Sequence, residues 1–445
     1  MPSEASPTTR KAPFQFGTDG LRGRFGVPPF DDNTLESFSY ALAAFFAQKA
    51  TPNKKKVLIA RDTRASGPLI ENILTKAFKA HDLPFGLLNV LPTPALVHDI
   101  IAQNALGGVM ISASHNPAHD NGIKIFKEGG TKLSLNDEKA ILDAYTLTPP
   151  PANTPSVIKK SFFEDSAYEE RLRPLFTNLN LNDLHLVVDC AHGAMYQIAP
   201  RLLKFFGAKV TPLATSPDGH NINQDCGSTH PKTLQETTKA VGADYGIAFD
   251  GDGDRVLFCK KNGTLLNGDQ LLTFLALAES KLTPPCVVST IMANQAMEET
   301  LAQHHITLVR TNVGDKAVAS AMQEKGALLG GEASGHLILK RYSQTGDGLL
   351  AALAVLRALQ QNKVPPLPCF VPYPQHIENI PLQNVRQEAL TPSHILQEQL
   401  QQCIKKGRLF LRRSGTEPVL RLTIEAPSEK IVKSALSKAL LLIVR

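Results

Sequence analysis

The sequence lacks the patterns that mark disulfide-rich, zinc-binding, secreted and membrane-spanning proteins. Its six cysteines are scattered along 445 residues and form no C-x-x-C pair, so neither a disulfide framework nor a zinc knuckle is expected. Residues 1–12 are polar and hold no apolar core of a secretory signal. The longest C-terminal apolar run, 439–444, is far too short to span a bilayer. We therefore expect reduced cysteines and a soluble, cytoplasmic protein with no membrane partner.

The sequence also lacks a large excess of charged residues of one sign. The formal net charge is +6, and the one compact basic run, 54–56, directly precedes a predicted strand. That charge is too dilute to predict nucleic-acid binding, although it suits an anionic small substrate. The length of 445 residues and the hydrophobic fraction of 42% predict two to four globular domains.

A strand, a turn of small residues and a helix recur three times. The predicted strands 57–60, 186–189 and 287–290 each precede a segment with helical spacing of apolar residues. This alternation predicts α/β domains with parallel strands and polar loops at the strand ends. Proline-rich segments at 148–155 and 364–374 are predicted to be linkers.

The C-terminal part follows another pattern. Residues 409–411 and 419–425 are predicted strands around a polar loop, and a helix is predicted from about Ser428 to the end. This order predicts a small α+β domain.

A serine lies at the tip of a predicted strand–loop–strand feature spanning 110–126. Turn dipeptides at 116–117 and 121–122 separate two apolar runs, and Ser114 follows the first run. The hydroxyl of Ser114 can face a cleft, although an ordinary exposed loop serine fits the same pattern. In an extended loop the neighbouring His115 points away from Ser114, so we do not predict it as a base.

Three carboxylates alternate with glycines in F-D-G-D-G-D-R, residues 249–255. Asp250, Asp252 and Asp254 would face the same way in an extended segment and would repel one another unless a cation lay among them. Oxygen ligands of this kind suit Mg²⁺. An EF-hand loop is excluded, since its sixth and twelfth positions hold Arg255 and Lys261. A purely structural acidic turn is the alternative.

Two glycine-containing loops offer groups for sugars or phosphates. In G-G-E-A-S-G-H, residues 330–336, Glu332 and Ser334 would share one face and could bind sugar hydroxyls. The segment is not a nucleotide P-loop, because His336 stands at the lysine position. In F-G-T-D-G-L-R-G, residues 16–23, Arg22 could approach a phosphate. A plain glycine turn is the alternative for both.

The loop R-R-S-G-T-E-P, residues 412–418, combines a guanidinium, hydroxyls and free backbone amides. Arg412, Ser414 and Thr416 alternate around Gly415 between the two predicted strands. These groups predict a phosphate-binding cradle.

Taken in order, these segments resemble the α-D-phosphohexomutase family. The resemblance runs from F-G-T-D-G-L-R-G through I-S-A-S-H-N-P, N-G-I-K-I-F, D-G-D-G-D-R and G-E-A-S-G-H to R-R-S-G-T-E-P, over almost the whole chain. It implies an α/β fold of three related mixed-sheet domains plus a smaller C-terminal α+β domain, around a central cleft. The expected domain boundaries are 1–150, 156–257, 258–363 and 372–445.

The resemblance also implies a role for each candidate residue. Ser114 would be the phosphoserine and, with Asp250, Asp252 and Asp254, would hold Mg²⁺. Lys124 and His336 would be the candidates for the general acid/base, with Lys124 the better one. The implied substrate-binding residues are Arg22, Arg255, Glu332, Ser334, Arg412, Ser414, Gly415 and Thr416.

Within the family, the motif forms look more like the members that act on glucosamine phosphates than those that act on mannose phosphates. The departure is Ala333, where the glucosamine members commonly have Gln. The implied reaction interconverts the 6-phosphate and 1-phosphate through glucosamine 1,6-bisphosphate, supplies UDP-N-acetylglucosamine synthesis, and takes place in a monomer or homodimer. Glucose or mannose phosphates, a metal-dependent phosphatase and a non-catalytic sugar-phosphate sensor are the alternatives.

Overall fold

The structure is a computed structural model. It describes residues 12, 14–17, 19–53, 56–147, 166–279, 282–361, 367–391, 394–414 and 418–444. The chain divides into two compact units. The first comprises Met1–Ile291 and Val309–Leu367, and the second comprises Met292–Leu308 and Pro368–Arg445.

The first sheet of the first unit has the strand order β1-β5-β4-β2-β3. Its strands are β1 (Leu21–Arg24), β2 (Val57–Arg61), β3 (Phe85–Val90), β4 (Gly107–Ile111) and β5 (Asp120–Lys127). β2 pairs in parallel with β3 and β4, whereas β5 runs antiparallel to β4 and β1. Its helices are α1 (Asp32–Lys49), α2 (Gly67–Ala80), α3 (Thr93–Ala102) and α4 (Leu135–Leu147), with a 3-10 turn at Glu128–Gly130.

Helix α2 shows why the apolar spacing produces this layer. Pro68 lies in the first turn, where its missing N–H costs no hydrogen bond. Ile70 and Leu74 are fully buried against the sheet, which confirms the predicted helix. Leu69, beside Pro68 in the first turn, is 55% exposed, so not every apolar residue of the helix packs into the core.

The second sheet has the order β10-β9-β8-β6-β7, in which the last four strands repeat the order β5-β4-β2-β3 of the first sheet. Its strands are β6 (His185–Asp189), β7 (Lys209–Leu213), β8 (Tyr245–Phe249), β9 (Val256–Lys260) and β10 (Leu265–Leu266), and its helices are α5 (Tyr168–Leu175), α6 (Ile198–Phe205) and α7 (Lys232–Ala240). β6 is parallel to β7 and β8, and β9 is antiparallel to β8. Gly207, which follows the C-cap of α6, has φ +99°, a conformation that favours glycine.

The third sheet has the order β12-β11-β13-β14. Its strands are β11 (Cys286–Thr290), β12 (Thr307–Thr311), β13 (Leu329–Gly331) and β14 (Leu337–Leu339), and the helices of this region are α8 (Gly268–Ala278), α9 (Gln295–Gln303), α10 (Asp315–Lys325) and α11 (Gly348–Gln361). β13 is parallel to β11 and antiparallel to β14. The predicted set of three related mixed-sheet α/β domains is therefore confirmed.

The C-terminal sheet is different, as expected. β15 (Gln375–Pro381), β16 (Arg408–Arg413) and β17 (Val419–Glu425) form an antiparallel sheet of order β15-β17-β16. Its helices are α12 (Gln387–Leu390), α13 (His394–Gln402) and α14 (Glu429–Ile443), with a 3-10 turn at Leu382–Asn384. Apolar faces of the sheet and helices enclose a core that includes Leu422, Ile424 and Ala439. The predicted α+β domain is confirmed.

Three further expectations concern the linkers, membrane-spanning helices and the domain boundaries. The predicted linker at 148–155 lies outside the described residues, and so do residues 364–366 of the second linker; residues 367–374 contain no helix or strand. Within the described part, no helix has the length and apolarity needed to cross a membrane. The predicted domain boundaries stay a prediction.

Candidate active site

The loop between β4 and β5 carries Ser114 in an unusual backbone conformation. Ser114 has φ +54°, in the left-handed region that residues other than glycine rarely adopt. Its side chain is buried, and Oγ donates a hydrogen bond to Asp250 Oδ2 at 2.6 Å. The serine is therefore not an exposed loop residue. It lies beside residues 250–255, here called the carboxylate loop, and its partner Asp250 is 136 positions further along the chain.

The three carboxylates do converge, but the predicted reason for this was wrong. Ligand oxygens of Asp250, Asp252 and Asp254 all lie within 4.8 Å of one another. Residues 251–254 form turns and bends instead of an extended segment, and Gly253 has φ +72°. A Cβ on Gly251 would lie 2.5 Å from Ser114 O, so this glycine permits the close approach of the two loops.

A lysine ammonium lies among these carboxylates. Lys124 Nζ, on β5, is 2.6 Å from Asp252 Oδ2, 2.9 Å from Asp254 Oδ2 and 2.9 Å from Asp19 Oδ2. Burial lowers the pKa of Lys124, but the three carboxylates outweigh burial and raise this pKa well above its usual value. In this arrangement Lys124 is a cation that neutralises the loop, and its predicted role as a base stays a prediction.

The carboxylate loop also fits a divalent metal ion. Asp252 Oδ1 and Asp254 Oδ1 are buried and accept no hydrogen bond from any described residue. Burial and the charges of Asp254 and Asp252 raise the pKa of Asp250 well above its usual value, and a bound cation would relieve that repulsion. Hard oxygen donors of this kind suit Mg²⁺. Ser114 and the three aspartates could hold it.

His115 lies closer to the serine than the sequence indicated. Its Nδ1 is 3.3 Å from Ser114 Oγ, so the expectation that it points away was wrong. That expectation assumed an extended loop, whereas the positive φ of Ser114 turns the chain. Burial and the charges of Arg255 and Arg22 lower the pKa of His115 to about 4, so the ring is neutral at neutral pH.

The predicted sugar-binding loop joins β13 to β14 and contacts the carboxylates. His336 Nδ1 is 3.6 Å from Asp254 Oδ1, and His336 Nε2 accepts a hydrogen bond from Gly346 N at 3.2 Å. Residues 332–335 form a turn instead of an extended segment, in which Gly335 N donates to Glu332 O at 2.9 Å. Among the described residues, Ser334 Oγ has no hydrogen-bond partner although it is buried, so it can bind a ligand hydroxyl.

Arginines border the site on two sides. Arg22 Nη2 donates to Asp19 Oδ2 at 2.8 Å. Arg255 N donates to Asp250 Oδ1 at 3.1 Å, and Arg255 Nε is 3.9 Å from Asp254 Oδ1. Both side chains are thus positioned by carboxylates of the site or of its border.

Four residues around the site were missed by sequence reasoning. Thr93 Oγ1, at the start of α3, donates to Asp252 Oδ2, and Lys132 Nζ bridges Asp19 and Asp315. These pairs join residues 113 to 183 positions apart, so only the tertiary fold brings them together.

The predicted phosphate cradle belongs to the second unit and is only partly described. Gly415 and Thr416 lie outside the described residues. Arg412, on β16, pairs with Arg421 across the sheet, and burial and then the Arg421 charge lower the pKa of Arg412. Facing guanidinium groups repel, and Arg412 Nε donates to no described residue, so an anion here would be stabilising.

Comparison with known proteins matches four family models in order. They are the phosphoglucomutase/phosphomannomutase alpha/beta/alpha domains I, II and III at residues 13–149, 166–263 and 267–368, and the C-terminal domain at residues 382–438.

Related sequences and structures agree with these models. The chain is 40% identical to phosphoglucosamine mutase of Acinetobacter baumannii (strain ACICU), over 94% of this chain and 96% of that protein. The phosphoglucosamine mutase of Brucella anthropi is also 40% identical, over 95% and 96%. The fold matches Aspergillus fumigatus N-acetylphosphoglucosamine mutase in complex with GlcNAc-6P and magnesium, with TM-score 0.69, 20% identity and 98% coverage of both chains. A Burkholderia thailandensis phosphoglucomutase/phosphomannomutase family protein gives TM-score 0.77 at 22% identity, over 96% and 97%.

Proposed function

The chain belongs to the phosphoglucomutase/phosphomannomutase family, and we propose that it is an isomerase that interconverts glucosamine 6-phosphate and glucosamine 1-phosphate. The observation that carries this proposal is the 2.6 Å contact of Ser114 Oγ with Asp250, inside a cluster of three buried carboxylates. The amino sugar is chosen because the 40%-identical relatives, which this chain covers almost completely, are named phosphoglucosamine mutases.

In the first half-reaction, Ser114 carries a phosphoryl group and the sugar presents O1. A bond forms between O1 and phosphorus while the bond from phosphorus to Ser114 Oγ breaks. The proton of O1 passes to a base, and an acid protonates Oγ, which leaves glucosamine 1,6-bisphosphate. Positioning and electrostatics dominate such transfers, so buried residues that fix Ser114 matter more than a strong nucleophile.

In the second half-reaction the sugar turns over and presents its 6-phosphate to Ser114. Oγ gives its proton to a base and forms a bond to that phosphorus while the bond from O6 to phosphorus breaks, and an acid protonates O6. Glucosamine 1-phosphate leaves, and Ser114 is phosphorylated again. No phosphoryl group is lost over the cycle, which separates this reaction from that of a phosphatase.

Charge control falls to the groups around the serine. Ser114, Asp250, Asp252 and Asp254 would hold Mg²⁺. When bound, the ion would withdraw negative charge from the transferring phosphoryl group. Lys124 and His336 are the proposed acid and base, and both lie within 3.6 Å of Asp254. Glu332 and Ser334 are proposed to bind sugar hydroxyls. The residues proposed to bind phosphate are Arg22, Arg255, Arg412, Ser414, Gly415 and Thr416.

The substrate is tested by comparing three sugars. We expect kcat/KM for glucosamine 6-phosphate to exceed the values for glucose and mannose 6-phosphates by more than about tenfold, since one polar group read by a site gives discrimination of this order or larger. Product is measured as the 1-phosphate, and inorganic phosphate is measured in the same reactions. A preference for glucose or mannose 6-phosphate would contradict the proposed substrate. Release of inorganic phosphate without isomerised sugar would contradict the proposed reaction and indicate a phosphatase.

A further inference from the structure

Arg64 is a fully buried arginine that the mechanism above does not use. It follows β2, its side chain is 0% exposed, and its Nε donates to Asp62 Oδ2 at 2.9 Å. A guanidinium carries five N–H groups, so this ion pair leaves four to be satisfied in the interior. Burying them without partners would be costly.

All four remaining N–H groups are directed at the backbone of the serine loop. Nη2 donates to Ser114 O at 3.0 Å and to Asn116 O at 2.8 Å. Nη1 donates to Asp120 O at 2.9 Å and to Pro117 O. One rigid, planar cation therefore fixes the direction of four carbonyl groups between residues 114 and 120.

Two of these four carbonyls also accept hydrogen bonds from Asn223. Asn223 Nδ2 donates to Ser114 O at 2.9 Å and to Asn116 O at 3.0 Å. On the other side of the peptide, Ser114 N donates to Ser112 Oγ at 2.9 Å, and Ser112 Oγ donates to Asp62 Oδ2 at 2.6 Å. Both backbone polar groups of Ser114 are thus fixed by buried partners.

We propose that Arg64, supported by Asn223, is a positioning residue for phosphoryl transfer. It holds Ser114 in its left-handed conformation, and that conformation aims Oγ at Asp250 instead of at solvent. Without the guanidinium, four carbonyls, including the buried one of Ser114, would lose a donor and the loop would relax toward conformations that ordinary residues prefer. The inference rests on the proposed function, because Ser114 must be the phosphoryl carrier.

The test compares Arg64→Lys with Arg61→Lys in single-turnover transfer. Lysine keeps the charge beside Asp62, but its three donors cannot reach all of the present acceptors. Phosphorylated enzyme, in molar excess, is mixed with isotopically labelled glucosamine 6-phosphate, and the first conversion of the sugar to its 1,6-bisphosphate and 1-phosphate is followed by rapid quenching. We expect Arg64→Lys to slow transfer about 100-fold, since a displacement of about 1 Å has an effect of that size. Arg61→Lys, in the same segment but outside the loop contacts, should transfer at the wild-type rate.

Substrate affinity and loop protection separate positioning from a general loss of structure. The Kd of Arg64→Lys for glucosamine 6-phosphate should stay within about threefold of wild type, because the sugar-binding residues are untouched. Hydrogen exchange of the amides at 112–121 should accelerate in Arg64→Lys and not in Arg61→Lys. A wild-type transfer rate in folded Arg64→Lys, unchanged exchange, or equal losses of transfer and affinity would each overturn the proposal.

Asn223→Gly serves as the second variant if Arg64→Lys does not fold. Asn223 has φ +59°, so glycine removes the amide donors without backbone strain, whereas alanine would add strain. We expect an intermediate slowing of about tenfold, as two hydrogen bonds to the loop are lost; a rate equal to wild type would contradict the shared role. If wild-type phosphoenzyme transfers to no sugar phosphate, the proposed function fails, and the exchange measurement alone then decides whether Arg64 holds the loop.

Discussion

At the scale of single residues, the chemistry of Ser114 depends on backbone conformation more than on sequence neighbours. Residue types alone identified Ser114 and the three aspartates, because both patterns are local: a serine follows an apolar run, and three acids alternate with glycines in one short segment. The contact between His115 and Ser114 could not be predicted, since it follows from a φ of +54° that no local pattern encodes. Asp19 and Thr93 join the site only through long-range contacts.

Lys124 illustrates how a sequence can single out a residue without showing the charges that surround it. The sequence located it ten positions after Ser114, and the family resemblance made it a base. In the structure its ammonium lies against Asp19, Asp252 and Asp254, which favour the protonated form. The predicted repulsion among the carboxylates is thus reduced by a positive charge of the chain itself, the ammonium of Lys124 from the neighbouring domain.

Replacing Ser114 tests the carrier directly. We expect Ser114→Ala and Ser114→Gly to lose all measurable turnover and the mass increment of one phosphate, because the hydroxyl that carries the group is absent. Substrate affinity, measured by calorimetry, should be retained. Alanine at φ +54° should also lower the unfolding free energy by about 1–2 kcal/mol relative to glycine. Activity or phosphate in either variant would refute the phosphoserine scheme.

At the scale of elements, the three loops of the first unit's site occupy equivalent places in three related sheets. The loops join β4 to β5, β8 to β9 and β13 to β14, each time a strand from the parallel part to its antiparallel neighbour. Each loop has one turn residue at positive φ: Ser114, Gly253 and Gly335. Sequence reasoning found the strands and the loop residues, but it treated the loops as extended because alternation of residue types does not reveal a turn.

Gly335 should be far less tolerant of substitution than a glycine with only unusual φ. A Cβ on Gly335 would lie 2.2 Å from Val256 O, so alanine forces the proposed sugar-binding loop away from strand β9. We expect Gly335→Ala to lower the unfolding free energy by more than about 3 kcal/mol and to weaken substrate affinity. Chemical denaturation and calorimetry measure both effects.

Gly263→Ala provides the matched control. Gly263 has φ +85°, but the nearest atom to an added Cβ is Gln235 O at 3.6 Å, which is ordinary contact. Its cost should be the backbone strain alone, about 1–2 kcal/mol, with unchanged substrate affinity. Equal effects of the two substitutions would mean that close approach of the loops at Gly335 is unimportant.

At the scale of the whole chain, the alternation of strands and helices was sufficient to predict the fold class. It could not predict that residues 292–308 cluster with the C-terminal unit. Within that unit Gln295 N, at the start of α9, donates to Glu425 Oε2 at 3.1 Å, and Asn294 exchanges hydrogen bonds with Tyr373. Such grouping depends on pairs 79 and 130 positions apart, for which a single sequence carries no signal.

The metal prediction belongs to this scale, because the proposed ligands come from two domains of the first unit. Adding Mg²⁺ to EDTA-treated protein should raise the apparent unfolding temperature, since an ion that binds only the folded state stabilises it by about 2.7 kcal/mol at 100 times Kd. Turnover should vanish in EDTA and return with Mg²⁺. Differential scanning fluorimetry over a Mg²⁺ series, at constant ionic strength, measures the shift.

Two substitutions assign the shift to the carboxylate loop. Asp252→Asn removes one of the three charges and should abolish the Mg²⁺-dependent rise. The amide can still accept from Thr93 and Lys124, so the fold should persist. Asp225→Asn removes an exposed carboxylate at φ +52°, a conformation that asparagine tolerates, and should leave the rise at its wild-type size. An equal rise in Asp252→Asn would place Mg²⁺ elsewhere. No rise in the wild type would mean that the chain's own cations, Lys124 and Arg255, are sufficient for the carboxylates.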